Sequence, residues 1–104
     1  MASSKEFLNY VIEQLNQLHD ITYRPMMGEF IIYYRGLIVG GVYDDRFLVK
    51  VTNSGLDNFN TPKYAIPYPG GKNMLLIEDI DNQDFVRKII EDTYNELVKN
   101  KQRT

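Results

Sequence analysis

The chain has 104 residues, 43% of them hydrophobic and 25% charged, with a formal net charge of -2 and no cysteine. That length supplies one core, and the composition lies in the globular range, away from disordered, collagen-like and membrane classes. The negative balance withholds a global electrostatic footprint for nucleic acid, and without cysteine there are no disulfides, thiolate catalysis or Cys-based zinc sites.

The opening, Met1 to Glu6, lacks the apolar run of a secretory signal, and no later stretch approaches the ~18 apolar residues of a membrane span. A cytoplasmic location is therefore expected. Ser3-Ser4-Lys5-Glu6 reads as a capping box that starts a helix, and Phe7, Leu8, Val11, Ile12, Leu15 and Leu18 recur at three- and four-residue steps as its apolar stripe. From Ile21 the pattern turns to short β-rich runs, with Pro25 ending any helix and Gly28 permitting a turn before Glu29. Phe30 to Tyr34, Leu37 to Tyr43 and Phe47 to Val51 are joined by connections too short for a parallel crossover, so they form an antiparallel meander, preceded by a short strand at Ile21 to Arg24.

Both faces of this meander carry apolar groups, because Phe30, Ile32 and Tyr34 project one way and Ile31 and Tyr33 the other. Gly40-Gly41 sits mid-strand, where a bulge or a close backbone approach is allowed; helix-on-sheet packing is favoured over a ligand notch. Residues 52–72 are irregular and rich in Pro and Gly, and are expected to hold a helical turn near Leu56 to Phe59 and an edge strand near Tyr64 to Tyr68. Met74 to Ile77 is a nearly continuous apolar strand. Asp81 or Asn82 caps a last helix whose stripe is Phe85, Val86, Ile89, Ile90, Tyr94, Leu97 and Val98; Lys88, Glu91, Asp92 and Glu96 are expected to face water. Acidic Asp81 and Asp84 at its start and Lys99, Lys101 and Arg103 at its end suit the helix dipole. The expected architecture is a single α+β domain over residues 1–104, two-layered, with helix, antiparallel sheet (meander plus later strands) and helix, and both terminal helices on one face of the sheet.

Catalytic patterns are sparse. His19 is the only histidine, which excludes a triad and a two-histidine metal site, and its place near a helix end suits a solvated role. Glu78 to Asp84 alternates acidic residues like a calcium loop, but Asp84 stands at the turn-glycine position and Ile90 at that of the bidentate glutamate, so cap and turn are the better reading. Pro69-Gly70-Gly71-Lys72 has glycines beside a lysine without P-loop spacing, leaving a modest anion contact by backbone N–H groups and Lys72. Tyr33, Tyr43, Arg35 and Lys50 have the residue types of an aromatic nucleic-acid platform, although such rings more often fill a core or a subunit contact.

Three matching segments run in order along the chain. Tyr23-Arg24-Pro25-Met26-Met27-Gly28, Asp44 to Val51, and Tyr68-Pro69-Gly70 followed by Met74 resemble the basic-x-Met-aromatic-Gly element, the acidic turn with its lysine-ended strand, and the late Tyr-Pro-Gly and methionine element of the TfoX/Sxy family, N-terminal domain. Met27, Glu29 and Arg35 depart from the family's usual residues. These bacterial proteins are linked to competence regulation, so the resemblance implies a helix-plus-sheet fold in a regulatory setting, here as a stand-alone module lacking the C-terminal domain of full-length regulators. The leading expectation is a non-enzymatic interaction module without a metal or cofactor, forming a homo-oligomer or meeting a protein partner through Ile31, Tyr33 and Tyr43. The alternative is a small anionic ligand-binding or enzymatic pocket built from Arg24, Glu29, Lys50 and Lys72; nucleic acid is a third and is not favoured.

Overall fold

A computed structural model describes residues 2–102, so Arg103 of the expected basic helix end lies outside the described residues. The first helix, α1 (Lys5–Gln14), begins one residue later than a Ser3 cap would place it. Ser4 is the cap, its Oγ accepting from Phe7 N–H at 3.1 Å, because Ser3 is drawn into a contact with Glu29 instead. Leu8, Val11 and Leu15 from the expected stripe are buried.

The meander has four strands: β1 (Ile21–Met26), β2 (Glu29–Tyr34), β3 (Leu37–Tyr43) and β4 (Arg46–Val49). Each is joined to the next by two residues with positive φ, Met27-Gly28, Arg35-Gly36 and Asp44-Asp45, the mirror-image turn whose twist matches that of paired strands. After β4 come the single turn α2 (Asn53–Leu56), β5 (Tyr64–Ala65) and β6 (Met74–Ile77). The helical turn thus falls earlier than expected, because Thr52 caps it through a bond from Gly55 N–H. The edge strand stops after Ala65, where the chain leaves the sheet toward Pro67. The six strands are ordered β1-β2-β3-β4-β6-β5, all antiparallel, and the last helix, α3 (Gln83–Gln102), is capped by Asn82, which accepts from Phe85 N–H.

Register assigns the faces. Phe30 opposes Val42, Phe47 opposes Val42 and Ile77, and Val49 opposes Leu75, so these side chains share one face; they join Leu8, Val11, Leu15, Val86, Ile89 and Ile90 in one buried cluster. Both terminal helices therefore cover the same side of the sheet, as the amphipathic stripes predict. Val39 is the extra residue of a bulge between the Ile32/Gly40 and Tyr33/Ile38 pairs, which turns its side chain into the core. A Cβ on Gly40 would lie 2.3 Å from the Leu48 carbonyl oxygen, and one on Gly41 would meet the Tyr43 ring at 2.6 Å. Gly40, beside the bulge, thus admits the close approach of the β4 main chain, and Gly41 that of the Phe30 carbonyl and the Tyr43 ring; helix packing is not what excludes a side chain there.

Polar contacts fix the ends of the core. Tyr10 Oη donates to Asp81, tying α1 to the turn before α3 and raising the phenol's pKa chiefly through that bond. Asp92 and Glu96, expected to face water, instead hold α2: Asn58 Nδ2 donates to Asp92 at 3.0 Å, and Glu96 accepts from Asn53 N–H, Ser54 N–H and Ser54 Oγ at 3.0, 2.8 and 2.9 Å. Burial pushes the Asp92 pKa up, but the bonds from Lys88 and Asn58 outweigh it and leave the carboxyl below its ordinary value.

Candidate functional site

The helix-free face is built from the alternate residues of the same strands. Arg24 lies opposite Ile31, Ile31 opposite Gly41, Tyr33 opposite Ile38, and Leu48 opposite both Gly41 and Leu76. Leu48 is fully buried although it is outside the helix-side cluster, so something else must cover it. On this side of the sheet lies the segment between β5 and β6, residues 66–73, which meets Tyr43 and Arg46 and shares a cleft with Ile38 and Lys50. Arg46 is its anchor, with Nη2 donating to the Ile66 carbonyl at 3.1 Å and Nε donating to Tyr43 O at 3.1 Å. Pro67 is buried, the Tyr43 and Tyr68 rings meet edge-on at 6.2 Å, and Gly70, at φ 84°, turns the chain back toward β6. Gly71 packs against Pro67, where a Cβ would sit 3.0 Å from its ring, and Gly71 N–H donates to Tyr68 O at 2.9 Å.

Between this strap and the sheet lies an open cleft of about 670 Å³, lined by Ile38, Tyr43, Lys50, Val51, Tyr68 and Lys72 among others. It brings together two of the four charged residues expected to form a pocket, Lys50 and Lys72. The other two go elsewhere. Arg24 stands over the Tyr33 ring at 5.8 Å, on the meander away from the strap. Glu29 lines a smaller, neighbouring hollow of about 360 Å³ with Arg46 and strap residues 66–69, which shares Pro67 and Tyr68 with the cleft, and its carboxylate is engaged: Ser3 Oγ donates to it at 2.6 Å and Asp44 N–H at 3.0 and 3.1 Å. Asp45 N–H donates to Ser3 Oγ and Ser4 N–H to Asp45 in turn, so Glu29 braces the Asp44-Asp45 turn against the N-terminal segment. Its oxygens thus satisfy one turn amide, that of Asp44, and one hydroxyl, that of Ser3.

The expected interface residues also part company. Ile31 and Tyr33 are half-buried on the part of the face outside the cleft. Tyr43 is 6% exposed beneath Tyr68, so its ring is already covered by the chain's own strap; that burial, before the nearby Tyr68 and Glu29, raises its pKa and keeps the phenol protonated at neutral pH. Arg35 leaves the group as well, stacking over Tyr34 and Tyr94 at 5.1 and 5.7 Å on the helix side. Tyr33, Tyr43, Arg35 and Lys50 therefore do not make one continuous surface.

Ile38, Val51 and Tyr68 as cleft residues were not foreseen. Val51 and Tyr68 are 40% and 52% exposed at the opening of the cleft. The only available signal was the Tyr68-Pro69-Gly70-Gly71 turn, which shows that the chain reverses but not which surface it reverses onto. Among the described residues no three of His, Cys, Asp and Glu gather to hold a metal, and no helix is long and apolar enough to cross a membrane.

A family model described as the TfoX N-terminal domain matches residues 13–96, a span from α1 to α3 that takes in the whole sheet and the strap. The chain belongs to that family. It is also similar to an uncharacterised 12.7 kDa protein from the trpE 5′ region of Spirochaeta aurantia, 30% identical over 80 residues that cover 77% of this chain and 70% of that protein.

Proposed function

We propose that this member of the TfoX N-terminal domain family is a non-catalytic regulatory module that acts by binding, and that a second copy of the chain occupies the uncovered part of its helix-free sheet face. The observation that carries the reading is the pair Ile31 and Tyr33, half-buried side chains on the helix-free face that line neither the strap's cleft nor the helix-side core. A two-fold pairing of such a face with itself is the least demanding way to cover it.

The non-catalytic part is supported by where the perturbed titrations fall. Tyr10 is shifted by its bond to Asp81, Asp92 and Glu96 by the bonds that hold α2, and Tyr43 by burial, and each of these pairings does structural work. A nucleophile beside a base, or two carboxylates with divergent pKa values across one cleft, is what catalysis would ask for. The regulatory part follows from the competence setting that the family resemblance implies.

Light scattering coupled to size exclusion tests the self-association, with the expected result being a dimer mass for the wild type at about 100 µM and a monomer mass for Ile31→Glu, which places a charge at the centre of the face. Ile31→Glu must melt with the wild type for the comparison to stand; Tyr33→Lys offers the same test at the neighbouring position. A wild type that stays monomeric throughout removes the second copy as the occupant.

A further inference from the structure

Lys50 and Lys72, the two cations of the cleft, have no partner among the described residues of the folded chain. Nearly every other cation in the described structure is engaged. Lys63 and Lys88 pair with Glu78 and Asp92, Arg87 with Asp84 and Glu91, and Arg46 donates to two carbonyls. Lys5, Arg24 and Arg35 stand over tyrosine rings, and Lys99 acts on Glu96. Among the described residues, Lys50 and Lys72 are the cationic side chains that meet neither a carboxylate, an acceptor nor a ring, and both line the same cleft. No acidic residue among those described lines it, although the chain as a whole carries a net charge of -2. A local surplus of two positive charges on a negative protein, kept clear of the carboxylates that neutralise the other lysines, is the arrangement expected of an anion site.

The walls narrow the class. Ile38, Val51 and Met74 supply apolar surface, and Tyr68, half-exposed at the rim, presents a ring to the opening. Tyr43 remains a neutral phenol, able to donate a hydrogen bond. Backbone amides contribute less than the Gly70-Gly71 pair suggests, since Gly71 N–H is already given to Tyr68 O. Side chains therefore carry the recognition. At about 670 Å³ the cleft lies within the range of small-molecule sites and exceeds what a bare inorganic anion would fill.

We infer that the cleft between the strap and the sheet binds a small organic anion, in which a carboxylate or phosphate meets Lys50 and Lys72 while a flat apolar body lies between Tyr68 and the Ile38–Val51 wall. The site adjoins the proposed dimer surface, Tyr33 being the cross-strand partner of the cleft residue Ile38, but Lys50 and Lys72 lie outside that surface and different variants test the two readings.

The test is a titration of 15N-labelled protein followed by amide spectra, with 2-naphthoate as the probe, the neutral 2-naphthamide as its uncharged counterpart and inorganic phosphate as a bodiless anion. Naphthoate is expected to shift the amides of Lys50, Val51, Gly70, Gly71 and Lys72 saturably, with naphthamide and phosphate each at least about tenfold weaker, the scale of one lost charge-assisted hydrogen bond or of the lost apolar contact. The double variant Lys50→Gln with Lys72→Gln is expected to weaken naphthoate at least about tenfold without moving the melting temperature, because neither lysine has an intramolecular partner to lose. Equal affinity for naphthamide, undiminished binding by the double variant, or shifts scattered away from the cleft would each overturn the assignment. If phosphate alone bound as tightly as naphthoate, the apolar half of the proposal would be overturned.

Discussion

Glu96 joins α3 to α2 through one carboxylate, and its removal should be felt in the stability of the whole domain. Its oxygens accept from Asn53 N–H, Ser54 N–H and Ser54 Oγ, and the two amides belong to the first turn of α2, where no intrahelical acceptor exists. Loss of a comparable cap costs about 1 to 2 kcal/mol, and since Asn53 is exposed and recovers water, the lower half of that range is expected for Glu96→Ala at pH 7. At this chain length that is a fall of roughly 4 to 12 °C in melting temperature. Glu96→Gln keeps one carbonyl acceptor but turns an amide donor toward a backbone donor, so it should lose much of the same stability.

The pH dependence distinguishes a charge-assisted cap from simple packing. The Ser54 backbone bond, then Asn53 and the Ser54 hydroxyl, with Lys99 nearby, lower the folded-state pKa of Glu96 below its ordinary value of 4.5 despite partial burial. A group whose pKa falls on folding stabilises the native state fully above its unfolded pKa and loses that contribution as pH drops through the folded value. The gap between wild type and Glu96→Gln should therefore be constant above about pH 5.5 and close progressively below the ordinary glutamate pKa. Thermal denaturation followed by circular dichroism at pH 7, 5, 4 and 3 measures it. Equal melting of Glu96→Ala and wild type at pH 7, or a gap to Glu96→Gln that persists unchanged at pH 3, would refute the reasoning.

Three backbone substitutions accompany it. Gly40→Ala places a Cβ 2.3 Å from Leu48 O and 3.0 Å from Val49 Cα, both main-chain atoms of a paired strand that have no rotamer to yield, so a loss of about 3 kcal/mol or more is expected. Gly36→Ala has open space and pays only for its φ of 83°, about 1 kcal/mol; chemical denaturation that ranks the two equally would contradict the bulge geometry. Met27 is 97% exposed at φ 51° in the Met27-Gly28 turn, so Met27→Asn should stabilise by about 0.5 to 1 kcal/mol, read as a higher denaturant midpoint at unchanged slope. A lower midpoint would show that the methionine side chain contributes contacts the exposed turn does not display.

The terminal helices were legible because Leu8, Val11 and Leu15, and Val86, Ile89 and Ile90, repeat at a spacing set by the helix itself, and the meander because its connections are too short for anything but antiparallel pairing. Two of the four residues of the suggested pocket do share a cleft, since Lys50 follows one strand and Lys72 precedes another and the strap brings both together. Arg24 and Glu29 do not line that cleft; for Glu29, residue type shows that a carboxylate wants donors, not that Ser3 and the Asp44 amide will supply them. The same holds for Asp92 and Glu96, whose helical positions read as solvent-facing until α2 arrives beside them. Helical periodicity, strand alternation and turn length were thus determined by the sequence alone, since each arises from sterics within a few neighbouring residues. The insertion of β6 between β4 and β5, the covering of Leu48 and Tyr43, and the cleft itself were decided only when segments 20 or more residues apart met, because burial depends on which surface arrives and not on the residue awaiting it.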